Sequence, residues 1–367
     1  MPVTIGAGWS IGPGVAVTSV EPSLQFTTPA AMNGTATGAT MYSVAVNSSG
    51  KFVAVGSFSG VNGYPAYATS TDGSTWTTPA QMGGSNQQTF LRGVTVNASG
   101  LFVAVGWLSS GSRPVSATST DGSTWTIPAL MNGSTAGALM YAVTVNSAGL
   151  FVAVGAALTT NYPVYATSTN GSTWTTPALM NGSTTYAVMR SVTVNSSGLF
   201  VAVGVSGSTY PLYATSTDGS TWTTPAVMNG TTATTQINDV TVSSSGLFVA
   251  VGRIGVGNYP AYATSTDGST WTTPASMNNS VTAAPMQSVT VSSLGLFVAV
   301  GASPTLADIP VAAYSTDGST WSTPAAMNGT TTASGMFGVT VNSSGQFVAV
   351  GWLTTESYPV SALGTFG

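Results

Sequence analysis

The pentapeptide Phe-Val-Ala-Val-Gly occurs seven times, starting at Phe52, Phe102, Phe151, Phe200, Phe248, Phe297 and Phe347, at intervals of 50, 49, 49, 48, 49 and 50 residues. A second motif, Ser-Thr-Asp-Gly-Ser-Thr-Trp in its first copy, follows each of the first six and ends at Trp76, Trp125, Trp174, Trp222, Trp271 and Trp321. A fixed period of this size marks a repeat architecture, in which each unit buries its apolar faces against its neighbours. The repeat covers residues 21–367 with no linker-like break, so the expected organisation is one closed domain preceded by an extended segment, residues 1–20.

Within the first unit the alternation of apolar residues predicts strand A over Ser43 to Asn47, and Asn47-Ser48-Ser49-Gly50 then reads as a tight turn. Strand B, Phe52 to Gly56, is apolar on both faces, as a strand covered on two sides should be. Strand C is expected over Ala66 to Thr71, a two-residue hairpin at Asp72-Gly73, and strand D over Thr75 to Thr78, ended by Pro79. Seven four-stranded antiparallel units of this kind, each apolar on both faces, predict an all-β fold, a seven-bladed β-propeller. The last copy holds strands A, B and C but stops before D, while residues 23–29 form a D strand without a blade. The N-terminal strand is therefore expected to complete the last blade, with Phe26 standing where the other copies carry Trp.

Composition narrows the function. Only 4% of residues are charged and net charge is −4, with one lysine and four arginines, which argues against nucleic acid, whose binders cluster Lys and Arg. The chain has neither cysteine nor histidine, which removes disulfides, thiol nucleophiles, Ser/His triads and most zinc sites. No apolar run approaches the length of a membrane helix, and Met1 to Val20 does not read as a secretory signal. The sequence thus predicts no membrane insertion and, if the protein works outside a cell, arrival by lysis or assembly.

The repeats disagree with one another in a patterned way. The turns joining A to B and C to D are nearly constant, whereas the B to C and D to A segments vary, and in an up-and-down blade these two sets emerge on opposite faces. Diversity on a rigid scaffold is how loops carry recognition. The variable face is expected to present Phe58, Trp107, Arg113, Arg253, Asp308, Trp352 and Glu356 from the first loop set, and Phe90, Arg92 and Arg190 from the second. Arg92 and Arg190 fall at equivalent places, read as just before strand A, from which both could reach the axis. On the constant face Asp72, Asp121, Asn170, Asp218, Asp267 and Asp317 are read as turn-capping residues, because a calcium site needs 6 to 8 oxygens and each turn offers one carboxylate at most. No metal or other cofactor is expected.

The Ser-x-Asp-Gly-Ser-Thr-Trp hairpin resembles the Asp-box, or BNR repeat, of sialidase-like propellers, in which the motif lies between strands C and D. It departs by having one residue fewer between Asp72 and Thr75, and by Asn170 in one copy. The resemblance implies a stabilising role for the Asp residues. A sialidase-like hydrolase would also need an arginine triad and a Tyr/Glu pair, and two equivalent arginines do not make three. The stretch from Thr4 to Val15 resembles the Gly-rich openings of structural proteins of marine bacteriophages. Together these readings lead to the expectation of a non-enzymatic structural or binding module, a virion component such as a fibre, tail or capsid decoration. Residues 1–20 would attach it to other virion proteins, and the variable face would meet a host-surface glycan or protein. A soluble carbohydrate-binding lectin and a sialidase-like glycoside hydrolase are the alternatives.

Overall fold

Strand B of every unit, Phe52–Phe58 in the first, is the most deeply buried element of its sheet, and its Phe, Val, Ala and Val side chains are fully enclosed. A strand apolar on both faces must be covered on both, and here the covering comes from the two adjacent sheets. The computed structural model describes residues 23–366 except 34–37, 59–62, 86, 133–136, 159, 182–185, 208–209, 230–233, 281, 304–307, 329–333 and 354–357. Seven antiparallel sheets follow one another around an axis, each ordered A-B-C-D. In blade one these strands are Ala39–Val46, Phe52–Phe58, Pro65–Ser70 and Ala80–Gln81. The protein is an all-β seven-bladed propeller.

The cores lie between blades rather than within them. One cluster joins Phe102, Leu91 and Trp125 of blade two to Val53 and Val55 of blade one, and the same arrangement recurs round the ring. Strand A is innermost, and in all seven blades it carries a β-bulge, in the first between Met41 and Ser43. The bulge explains the Gly that ends Phe-Val-Ala-Val-Gly. A Cβ on Gly56 would run into the carbonyl oxygen of Thr40, and one on Gly106 into that of Phe90. Only a residue without Cβ lets the bulged strand come this close.

The C to D turn is not the expected two-residue hairpin. Ser70 bridges to Trp76 across a five-residue loop, and the regular D strand is only Ala80–Gln81 rather than Thr75 to Thr78. The intervening rungs are made partly by a side chain: Thr69 N–H donates to Thr77 Oγ1 at 2.9 Å, and Pro79 has no N–H to give. Within the loop Gly73 N–H donates to Ser70 Oγ at 2.8 Å, and Ser74 and Thr75 N–H donate to the Asp72 carboxylate at 2.8 and 2.7 Å. The Trp76 indole donates to the Gly73 carbonyl at 3.1 Å, so one loop fixes the Trp that fills the inter-blade core. Gly73 has φ +77°, and a Cβ there would also meet Val348 of the neighbouring blade at 2.5 Å.

Asp121, Asp218, Asp267 and Asp317 repeat this bonding, and so does neutral Asn170, whose Oδ1 accepts the N–H groups of Ser172 and Thr173 at 3.0 and 2.8 Å. The backbone N–H of Thr124, then that of Ser123, holds the Asp121 carboxyl well below the usual carboxylate range. A carboxyl whose folded value lies below its unfolded one adds stability above the ordinary range, near pH 3.9, and that stability is lost as pH falls further. The melting temperature is therefore expected to drop on acidification from about pH 5 to about pH 2. Asp121→Asn, which installs the residue of blade three, should shallow that drop and cost under about 1 kcal/mol at neutral pH. An acid profile identical to that of the unaltered protein would contradict this account of the turns.

The ring closes through the N-terminal strand. Leu24–Phe26 pairs with Tyr358–Phe366, Phe26 opposite Gly364, and Ala30–Ala31 continues along the same strand. Phe26 is 5% exposed and packs with Val298 and Val300 of blade six, in the place of the missing Trp. Residues 1–20 lie outside the described residues. Opposite the turns, five of the B to C loops are seen to clasp the next blade, as where Thr89 N–H donates to the Gly63 carbonyl, Ala187 to Asn161 and Ser334 to Asp308. The two variable loop sets thus share one face.

Candidate ligand site at the axial mouth

The bulge in each inner strand inserts one extra residue, and that residue faces the axis. In chain order these are Tyr42, Arg92, Tyr141, Arg190, Asn238, Gln287 and Phe337, and together they ring a cavity of about 340 Å³. They lie in the half of strand A nearer the variable loops, so the mouth opens on that face. Below it, a throat of about 200 Å³ runs past Ser43, Gly93, Ala142, Ser191, Asp239, Ser288 and Gly338 to valines. Six of the seven blades contribute a valine at that depth, Val44, Val94, Val143, Val192, Val240 and Val339, so the scaffold is nearly uniform where it is only structural and diverse where it is presented.

The mouth has two unlike halves. On the side of blades seven to three, Tyr42 and Phe337 pack with ring centroids 5.6 Å apart, and Trp107 packs on Phe90 at 5.7 Å and edge-on to Tyr141 at 5.6 Å. The Arg92 guanidinium lies between these groups, 3.7 Å from the Tyr42 centroid and 5.1 Å from that of Trp107, and its buried Nε has no hydrogen-bond partner. On the side of blades four to six the groups are polar. Arg190 donates to Asn238 and Gln236, and Asn238 donates to the Met286 carbonyl at 2.8 Å. Burial and then the nearby Arg253 charge push the Arg190 guanidinium below its ordinary value, while burial raises the Tyr141 hydroxyl.

Asp239, in the throat, is half-buried, and desolvation raises its carboxyl above the usual range. Its oxygens accept from Ser191 Oγ at 2.6 Å, Ser288 Oγ at 2.8 Å, and the N–H groups of Val240 and Val289 at 2.9 and 2.8 Å. With four donors across three blades the carboxylate is spent on stitching. Elsewhere a serine does the same work with one bond, as when Val94 N–H donates to Ser43 Oγ at 3.2 Å.

Of the residues singled out from sequence, Phe90, Trp107, Arg92 and Arg190 meet at this mouth. Arg92 and Arg190 stand inside strand A, in Thr89–Val96 and Ala187–Val194, not before it, because the strands begin earlier than their apolar alternation suggests. Trp107 and Trp352 are likewise strand B residues rather than loop residues, and Trp352 is half-buried over Gly335. Phe58 packs on the core of blade one and is not a presented group. Arg253 braces its own loop by donating to Asn258, and Arg113 is half-buried with an unpartnered Nε. Asp308 sits exposed at φ +60° and serves the clasp through its carbonyl. Glu356 lies outside the described residues.

Known structures share this architecture. A protein of unknown function from Dyadobacter fermentans is 16% identical over 94% of this chain and 99% of its own, with a TM-score of 0.57. YCF48 from Cyanidioschyzon merolae is 14% identical over 89% and 96%, at 0.59, and a Hadza microbial sialidase is 14% identical over 92% of this chain and 65% of its own, at 0.50. These likenesses show the fold. No family model and no curated protein matches the sequence.

Sequence reasoning missed Tyr42, Tyr141, Asn238, Gln287 and Phe337. Their signal is the most varied column of a strand that keeps an apolar residue before it, a mostly small one after it and then a constant Val: Met-Tyr-Ser-Val, Leu-Arg-Gly-Val, Met-Tyr-Ala-Val, Met-Arg-Ser-Val, Ile-Asn-Asp-Val, Met-Gln-Ser-Val and Met-Phe-Gly-Val. Among the described residues no group of three His, Cys, Asp or Glu could hold a metal ion, and no helix is long and apolar enough to cross a membrane.

Proposed function

We propose that this protein is a non-enzymatic binding module that takes its ligand at the axial mouth. The observation that carries the reading is the bulge column: seven equivalent positions, held by an otherwise repeated scaffold, present Tyr, Arg, Tyr, Arg, Asn, Gln and Phe to one cavity. Rings on one side and amide or guanidinium groups on the other suit a ligand with an apolar face and hydroxyl edges, such as a glycan. Hydrolysis has less support, since glycosidases use two carboxyl groups flanking the bond, and Asp239, the one carboxylate described at the axis, has its oxygens taken.

A virion setting remains part of the proposal. It draws on the Gly-rich segment before the propeller and on polarity: residue 23 enters blade seven at the constant-turn face, opposite the mouth, so residues 1–20 could join other virion proteins while the mouth points outward.

Labelled full-length protein on a glycan array is expected to retain a defined subset of glycans. Trp107→Ala should abolish that retention, since ligand hot spots favour Trp, and Gln287→Ala should weaken it with stability unchanged to within about 0.5 kcal/mol. Retention unaltered in both variants would move the site away from the axis. Sedimentation with phage particles tests the virion role separately, and a protein never found on particles would leave only the binding module.

A further inference from the structure

We propose that the axial mouth selects a singly anionic saccharide unit, one bearing a carboxylate or a sulfate ester, with the sugar face on Trp107 and Tyr42 and the anion between Arg190 and Arg92. The proposal rests on the binding-module reading and adds the charge of the ligand.

The argument begins with where the few charges are. The chain is acidic overall, yet all four arginines lie on the mouth side: Arg92 and Arg190 in the bulge column, Arg253 at the outer end of its strand B, and Arg113 at the matching start of strand C. Five of the aspartates sit in the opposite turns, and the single lysine is held there too, Lys51 Nζ donating to the Asp121 carbonyl at 2.5 Å and to Ser123 Oγ at 2.8 Å. Asp239 in the throat and Asp308 on its loop are the described carboxylates on the mouth side, fewer than its four arginines, so that side is cationic on an anionic molecule.

Neither mouth arginine is neutralised among the described residues. Arg92 has aromatic rings for company and an unpartnered Nε, and Arg190 has only amides. Asp239 makes no hydrogen bond to either, since its four go to Ser191, Ser288, Val240 and Val289. Two half-buried cations without an ion-pair partner gain most from a ligand that brings one, through charge-assisted hydrogen bonds. A mouth of about 340 Å³ is at the small end of ligand sites, roughly 300–1,000 Å³, and so takes one sugar unit. The size of the mouth decides between one anion and many, since a cavity that takes one sugar unit seats one anionic group between its two arginines.

The test is titration calorimetry of the full chain with methyl glucuronide, glucose 6-sulfate and methyl glucoside, each at low and high salt. The anionic sugars, either or both, should bind about tenfold or more tightly than the neutral glucoside and weaken with salt. The arm that binds identifies the source of the anion. Arg190→Gln should lose about tenfold for the anionic ligand only, while Arg190→Lys, which keeps the charge, should recover part of it. Equal affinity for all three sugars, or anionic binding indifferent to both salt and Arg190→Gln, would overturn the anionic assignment and leave the binding module standing. Failure of all three sugars to bind would also overturn it, with the array result then deciding the broader reading. The salt dependence of the unaltered protein keeps the test decisive even where a variant fails to fold.

Discussion

A chain lacking residues 1–34 is expected to be unfolded or aggregated at room temperature. The deletion removes both segments that pair with Tyr358–Phe366, leaving that strand as an open edge available to other chains. It also empties two cores at once. Phe26 leaves the interface of blades six and seven, and Met32, 1% exposed, leaves that of blades seven and one. Losing a buried Phe costs about 3–5 kcal/mol and a buried Met about 2–5, against a total stability of roughly 5–15 for a whole domain. The two losses alone use up most of that margin, before the lost hydrogen bonds are counted. Circular dichroism melts and gel filtration of residues 35–367 check it. A soluble monomer melting where the full chain melts would mean that the ring does not need its N-terminal strand.

The second large effect is expected from one methyl group. Gly106→Ala puts a Cβ against the Phe90 carbonyl oxygen, a main-chain atom that cannot move without undoing the bulge. Overpacking typically costs about 1–3 kcal/mol, and a backbone obstacle belongs at or above the top of that range. Whatever folded population remains should have lost the presentation of Arg92, because without the extra residue the strand register shifts and side chains change faces. Gly100→Ala is the control: nothing lies within 4 Å of its Cβ, so the cost is only the strain of φ +86°, about 1–2 kcal/mol. Urea unfolding of both variants decides. Similar small losses would remove the link drawn between the glycine of the repeat and the bulge.

The repeat made the fold readable. Its period, the strand B pattern and the stranded Phe26 segment predicted blade count, blade composition and closure, because burying a two-faced sheet has so few solutions. The turn geometry was misread, since Asp-Gly suggests a hairpin whenever neighbours are ignored. In the structure Asp72 instead accepts two N–H groups from within a wider loop, and the Trp76 indole closes it. The site was half legible. Diversity pointed to the face on which the axial mouth opens, but it was sought in loops, where Asp308 proves to be a backbone clasp and Phe58 a side chain packed on the core. The bulge hid the rest: an inserted residue breaks the period-two alternation by which a strand is read, so Tyr42 and its six equivalents belong to neither face of the predicted pattern.

Replacing all seven bulge residues by serine while leaving every loop intact tests the central claim most directly, the readouts being a thermal melt and glycan-array retention. The account predicts a folded propeller, because these side chains line a cavity and the inter-blade cores are built from other residues, together with complete loss of retention. A ring-replaced protein that still retains the same glycans would contradict it, and so would one that unfolds, for the column would then be packing rather than a site.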